Sequence, residues 1–338
     1  MQNVIETKDA LLCYYDKIIE GSYCIFNMPC KFCAIDRKTK KYIEYSSFNY
    51  SNFTINYEII DEYIKENIIN DTYKSVQGFV LMNNPWMHNF SHMLNETLPR
   101  IMVYLDIKKN TDVKMIIHTE YYYGYVKEIL KLFGIYDNDI VFIPQKNDIY
   151  QFDKLFTTNI CYGLSIPKEE VKIVFFTKLR QLIYDKIKDN LLNNTDVNRI
   201  LYIKRNDKIM IGKARELINE NEIINELKRF NCNIVDNFSE KNIFEKAKLL
   251  YNAKIIITPL GANLMNIAFS NNPKKMIVLT NDIFRTTYHN DLFNNIGEKM
   301  ETYYVKGIVS DQNCKTDNCP YTINVTDLVD TICKALNN

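Results

Sequence analysis

The stretch "HNFSHMLNETLPRI" places His88, His92, Glu96 and Arg100 at intervals of four residues. On a helix, each of these side chains stands about one turn from the next. A histidine and a carboxylate so spaced make an acid/base pair, in which the carboxylate holds the imidazole or takes the proton itself. The same spacing also suits a half-buried histidine with a surface partner. Two of the chain's four histidines fall in this stretch. Pro99 lies inside the pattern and weakens its last step, because a proline within a helix removes one hydrogen bond and crowds the carbonyl four residues back.

A second group suits an anion. Lys204 and Arg205 follow the apolar run "ILYI", and Arg215 comes next in a short polar segment. Two guanidinium groups can clamp a diphosphate with paired N–H donors. A surface salt bridge is the alternative for Arg205. Asn219, Glu220 and Glu222 stand where a helix begins, as N-cap and first-turn acids. The third group is "IIITPLGANLMNIAF", a buried strand that meets Pro259-Leu260-Gly261-Ala262-Asn263 and then a helix. Gly261 and Ala262 are small enough for a phosphate or ribose to approach the backbone N–H groups there. A tight turn packed in the core is the other reading. Neither GxGxxG nor GxxxxGK[ST] occurs, so a dehydrogenase or a P-loop enzyme has no support.

The elements that must position these residues alternate. "GFVLM", "VKMIIH" and "DIVFI" read as strands, "FSHMLNETLPRIMVYL" and "YYYGYVKEILKLFG" as helices, the second ending at Gly134. Farther on, the strands are "RILYIKR", "NIVD", "KIIIT", "KMIVLT" and "TYYVKG". The helices there are "ENEIINELKRF", "NIFEKAKLLYNA", "HNDLFNNIGEKM" and "VTDLVDTICKAL", the last capped by Thr326 or Asp327. Short β-branched runs alternating with helical patterns predict βαβ units and parallel sheets. A charged amphipathic helix over 167–194 separates an N-terminal domain, 1–166, from a C-terminal one, 195–338. Before residue 74 the expected elements are strands at "YCIF" and "YIEYSSF" and a helix at "YEIIDEYIKENIIN".

The chain has 338 residues and a net charge of +1, so no general attraction to nucleic acid or acidic membranes is expected. The first residues do not form a secretory h-region, and no apolar run is long enough for a membrane span. A cytoplasmic location is expected. The nine cysteines are scattered. Cys30 and Cys33 form one CxxC and Cys314 and Cys319 a looser pair far downstream, whereas a zinc site needs four ligands at tighter spacing; free thiols in a reducing compartment are expected.

The three motifs together, in this order, resemble glycosyltransferase family 61. That family carries a histidine, then a glutamate and Leu-Pro-Arg, here "SHMLNETLPR". A strand ending in arginine and an Arg-x-(Ile/Leu)-x-Asn-Glu segment follow, here "YIKR" and "RELINENE". Last comes a strand with a Gly-Ala motif and a downstream Asn and Phe, here "IIITPLGANLMNIAF". The resemblance covers roughly 77–305. It implies a GT-B fold, two Rossmann-like domains facing across a cleft. It also implies an inverting, metal-independent transfer of a hexosyl, pentosyl or N-acetylglucosaminyl group, usually from a UDP-sugar, to an acceptor hydroxyl of a glycan or polysaccharide. No cofactor is required. Glu96 and His92 then match the base role, with Glu96 slightly preferred, and His88 and Arg100 lie on the acceptor side. Arg205, Arg215, Asn219, Glu220, Gly261, Ala262, Asn263 and Asn266 match the donor side. Many members have a histidine immediately before the Gly-Ala pair, where this chain has Leu260. That departure supports the alternative of a catalytically inactive nucleotide- or glycan-binding module.

Overall fold

The computed structural model describes residues 4–14, 19–20, 32–38, 54–55, 65, 69–81, 89–144, 149–158, 170–191, 200–205, 215–270, 274–283, 296, 300–310, 314 and 319–337. The chain divides into two compact units, Met1–Phe175 and Phe176–Asn338.

The first unit is built on a seven-stranded mixed sheet. Its main strands are β1 (Val4–Tyr14), β2 (Phe32–Asp36), β3 (Gln77–Val80), β4 (Val113–His118), β5 (Ile140–Ile143) and β6 (Ile149–Thr158). They lie in the order β2-β1-β6-β3-β4-β5, and the short strand Ile69–Asn70 pairs with β6. The run β6-β3-β4-β5 is parallel, while β1 is antiparallel to both β6 and β2. Parallel strands are covered on both faces, so they read as continuous apolar runs. Phe79, Val80, Met115, Ile116 and Ile117 are buried accordingly. The helices are α1 (Ile101–Lys108), α2 (Gly124–Leu132) and α3 (Glu170–Leu191), the last running across the boundary between the units. Gly134, at φ +75°, supplies the left-handed stop after α2.

Three strands here depart from the sequence expectations. The even-numbered face of β1 passes from exposed Glu6 and Lys8 to buried Ala10 and Leu12, so no single alternation announces it. In β6, buried Gln151, Thr157 and Thr158 and exposed Asp153 interrupt the apolar run. The helix expected at "YEIIDEYIKENIIN" ends instead in the strand Ile69–Asn70, which gains a ladder partner in Ile149 and Tyr150. Most of that stretch, and all of "YCIF" and "YIEYSSF", lie outside the described residues, as does most of "HNDLFNNIGEKM".

The second unit carries β7 (Ile200–Ile203), β8 (Asn233–Val235), β9 (Ile255–Pro259), β10 (Lys275–Asn281), β11 (Glu301–Val309) and β12 (Tyr321–Thr322). They lie in the order β8-β7-β9-β10-β11-β12, parallel except for β12. Its helices are α4 (Glu220–Arg229), α5 (Ile243–Asn252) and α6 (Val325–Asn337). Tyr202, Ile257, Ile277 and Leu279 of the sheet share one core cluster with Ile223 and Leu227 of α4 and Leu328 and Ile332 of α6. The cap of α6 is Asn324, not Thr326 or Asp327: its Oδ1 accepts the Thr326 N–H at 2.9 Å. An asparagine before the apolar periodicity serves as well as a threonine or aspartate within it.

Cys314 and Cys319, which lie between β11 and β12 in sequence, form a disulfide, which corrects the expectation of free thiols for this pair. The antiparallel pairing of these two strands brings the cysteines together. Cys232 and Cys333 are free, and Cys30 lies outside the described residues. Among the described residues, no group of three or more His, Cys, Asp or Glu gathers as metal ligands. No helix among them is long and apolar enough to cross a membrane.

Candidate active site

In open parallel sheets, ligands bind beyond the carboxyl ends of the strands, where the strand order reverses. The first sheet reverses between β3 and β6, the second between β7 and β9. The expected site residues cluster at these two places.

At the first, the helical stretch after β3 is deformed. Asn89 caps it, its Oδ1 accepting the Ser91 N–H at 2.9 Å. One α-helical turn over Phe90–His92 then opens into a π-helical turn, Met93–Thr97, and tightens into a 3-10 turn, Leu98–Arg100, before α1 begins. Pro99 explains the sequence of turns. It offers no N–H to the Asn95 carbonyl and collides with it, so the register widens before the proline and tightens at it. The Leu98 N–H accordingly reaches back to the Met93 carbonyl.

The interval of four survives this distortion where it matters. His92 Nδ1 lies 3.1 Å from Glu96 Oε2. Glu96 is only 1 % exposed and His92 17 %, so the imidazole is the member of the pair that reaches outward. Arg100 is fully buried, and its Nη1 donates to the Leu81 carbonyl at 3.3 Å, tying the helix to the end of β3. His88 lies outside the described residues. His118, which ends β4, carries no signal in the sequence beyond its place after an apolar run. It is fully buried, its Nδ1 accepts the Glu120 N–H at 3.2 Å, and burial lowers its pKa to about 4. It is therefore a neutral structural cap.

At the second place, Thr258 Oγ1 donates to the Ile203 carbonyl at 3.1 Å and pins β9 to β7. Just beyond, Arg205 lies against the turn, with Nη1 3.4 Å from the Leu260 carbonyl. A Cβ built on Gly261 would come 3.9 Å from the Arg205 guanidinium carbon, which places the guanidinium beside the glycine at ordinary contact distance. Leu260 turns its side chain into the core, 2 % exposed, and offers only its carbonyl. The segment Ala262–Phe269 is a 3-10 helix of eight residues. Asn263 Nδ2 donates to the Lys204 carbonyl at 3.4 Å, and Asn266 Nδ2 to the Asn263 carbonyl at 2.9 Å.

Behind Arg205, Tyr202 donates to Glu220 Oε1 at 2.7 Å, while Lys204 Nζ lies 3.7 Å from Glu220 Oε2 and 3.1 Å from Asp236 Oδ1. Burial, and then Glu220, push the Tyr202 hydroxyl well above its usual pKa. Burial likewise raises Tyr321, whereas Arg205 and Arg215 both act on it in the opposite sense. The two arginines thus share the field around one buried phenol. Arg215 holds a left-handed backbone, φ 57°. Asn219 has a different part. Its Nδ2 donates to the Ile323 carbonyl at 2.9 Å and its Oδ1 accepts the Ile323 N–H at 3.1 Å, so the amide imitates a strand. It makes no side-chain cap to α4. The signals at Tyr202 and Tyr321 are absent from the sequence, where each reads as a core aromatic.

Residues 90–277 match the family Glycosyltransferase 61. The chain belongs to this family. The match covers more than half of its length and every candidate residue above except His88. No curated protein matches the chain. Glycosyltransferase activity is the class of chemistry that family 61 membership indicates, and both sheet edges have the polar groups such a transfer uses.

Proposed function

We propose that this family 61 chain is an inverting, metal-independent glycosyltransferase of GT-B architecture. It transfers a sugar from a nucleotide-sugar donor, a UDP-sugar, to an acceptor hydroxyl in glycan or polysaccharide synthesis. The observation that carries the reading is Arg205 lying against the Gly261 turn where the second sheet reverses its order. A diphosphate placed there meets a guanidinium and a backbone free of side-chain bulk, with Arg215 acting in the same field. Leu260 can stand in this turn because its contribution is a backbone carbonyl. In the proposed step the acceptor oxygen bonds to the anomeric carbon as the bond from that carbon to the diphosphate oxygen breaks. The acceptor proton passes to His92, and the arginines stabilise the charge left on the diphosphate. Burial of Glu96 behind His92 favours the imidazole as base and the carboxylate as its support. Disulfides belong mainly to oxidising compartments, so Cys314–Cys319 weighs against the cytoplasm as the place of work.

The test is a panel of nucleotide sugars, scored for binding by thermal shift and for turnover by donor hydrolysis and transfer. One UDP-sugar should stabilise the chain and be turned over. Binding without turnover on any acceptor would leave the inactive module as the better reading. No binding by any donor would refute the donor site.

A further inference from the structure

Beside the acid/base pair, the carboxyl edge of the first sheet carries a chain of aromatic rings. The described segments that follow β3 and β4, from Asn89 and from Thr119, meet through their aromatic rings, and those two strands are adjacent and parallel. The first supplies Phe90, two residues before His92, and the second supplies Tyr122 and Tyr123 just before α2 and Tyr125 in its first turn. The Tyr125 ring meets Phe90 edge-on, centroids 5.0 Å apart at 80°. Tyr123 meets Tyr125 at 6.1 Å and 90°. Tyr122 is fixed separately, against Phe142 of β5 at 4.8 Å and by a hydrogen bond to Asp137. Tyr123 is 42 % exposed. It is a braced ring open to solvent, and the rings behind it lead to the turn that carries His92.

A pyranose ring has an apolar C–H face and a rim of hydroxyls. It complements an aromatic ring that is held in place and partly open to solvent. We infer that Tyr123, braced by Tyr125 with Phe90 behind it, is a stacking platform for a pyranose ring of a carbohydrate acceptor. This rests on the glycosyltransferase reading above for the role of the bound sugar, and it commits the acceptor to an oligosaccharide.

The experiment compares the wild-type chain with Tyr123→Ala and Tyr123→Phe. Xylo-, cello-, manno- and N-acetylglucosamine oligosaccharides serve as probes. Binding is read by saturation-transfer NMR, and transfer by initial rates at saturating donor. At least one oligosaccharide series should bind. Tyr123→Ala should raise the KM for it about tenfold, with kcat and acceptor-free donor hydrolysis unchanged, whereas Tyr123→Phe keeps the wild-type KM. Melting curves check that both variants fold, which the exposure of Tyr123 favours. An unchanged KM in Tyr123→Ala overturns the platform, as does a wild-type chain that binds none of the oligosaccharides. Oligosaccharide binding lost in Tyr123→Ala, in a chain that turns over no donor, keeps the platform and sinks the transferase reading.

Discussion

Both sheets reverse their strand order beside their first parallel strand, yet the two carboxyl edges carry different chemistry. At the first, a carboxylate is buried behind an imidazole on a distorted helix, with a row of aromatic rings alongside. At the second, a guanidinium lies on a bare turn, and a network of hydroxyl, carboxylate and ammonium groups joins Tyr202, Glu220, Lys204 and Asp236 close by in the sequence and sheet. One edge is suited to moving a proton and the other to holding an anion. On the proposed function, topology chooses where a ligand sits, while the residues at the strand ends choose what it is.

Breaking the first edge should have the largest effect. His92→Ala should lower transfer by about 100-fold or more in a chain that still folds, with a lowered melting temperature because Glu96 loses its imidazole partner. Glu96→Gln should lower it less, because the amide still fills the space behind the imidazole. Equal turnover in wild type and His92→Ala, measured at saturating donor and acceptor, would remove His92 as base. The second edge should respond differently. Arg205→Ala should weaken donor binding by about tenfold to 100-fold, in line with the loss of a charge-assisted contact to a diphosphate. Titration with UDP reads this directly, and Arg205→Ala with unaltered UDP affinity would move the diphosphate away from the turn.

The remaining comparisons concern stability. His118 has a pKa of about 4 when folded, against about 6.5 when unfolded. Its contribution is therefore complete above pH 6.5 and is lost as pH falls toward 4, because the unfolded chain binds the extra proton. The loss should approach about 3 kcal/mol by pH 4. Urea denaturation at several pH values should show this slope in wild type and a shallower one in His118→Asn. Asn219→Ala should cost about 1–2 kcal/mol of stability by exposing the Ile323 backbone pair, with UDP affinity nearly unchanged. A large fall in UDP affinity with normal stability would return Asn219 to the donor side.

Parallel strands such as β4 and β9 are legible because burial on both faces leaves an uninterrupted apolar run. β1 and β6 are not, since they take their place from pairing with each other across distant sequence. His92 and Glu96 are legible from spacing, and Arg205 from its place after an apolar strand. Asn219 illustrates the opposite case. Its position before α4 reads as a cap, but the backbone of Ile323, remote in sequence, claims the amide.

The amino-acid sequence alone determined the alternation of strands and helices, the intervals that pair His92 with Glu96, and the motifs that mark the family. These depend on local periodicity and neighbouring residue types. Only the tertiary structure decided that Glu96 is buried while His92 reaches outward, and that Leu260 faces the core. It also decided that Arg205 lies on the Gly261 turn and that Phe90, distant in sequence, packs on the Tyr125 ring that braces Tyr123. Burial and long-range contact depend on which strands become neighbours, and strand order is not a property of any one segment.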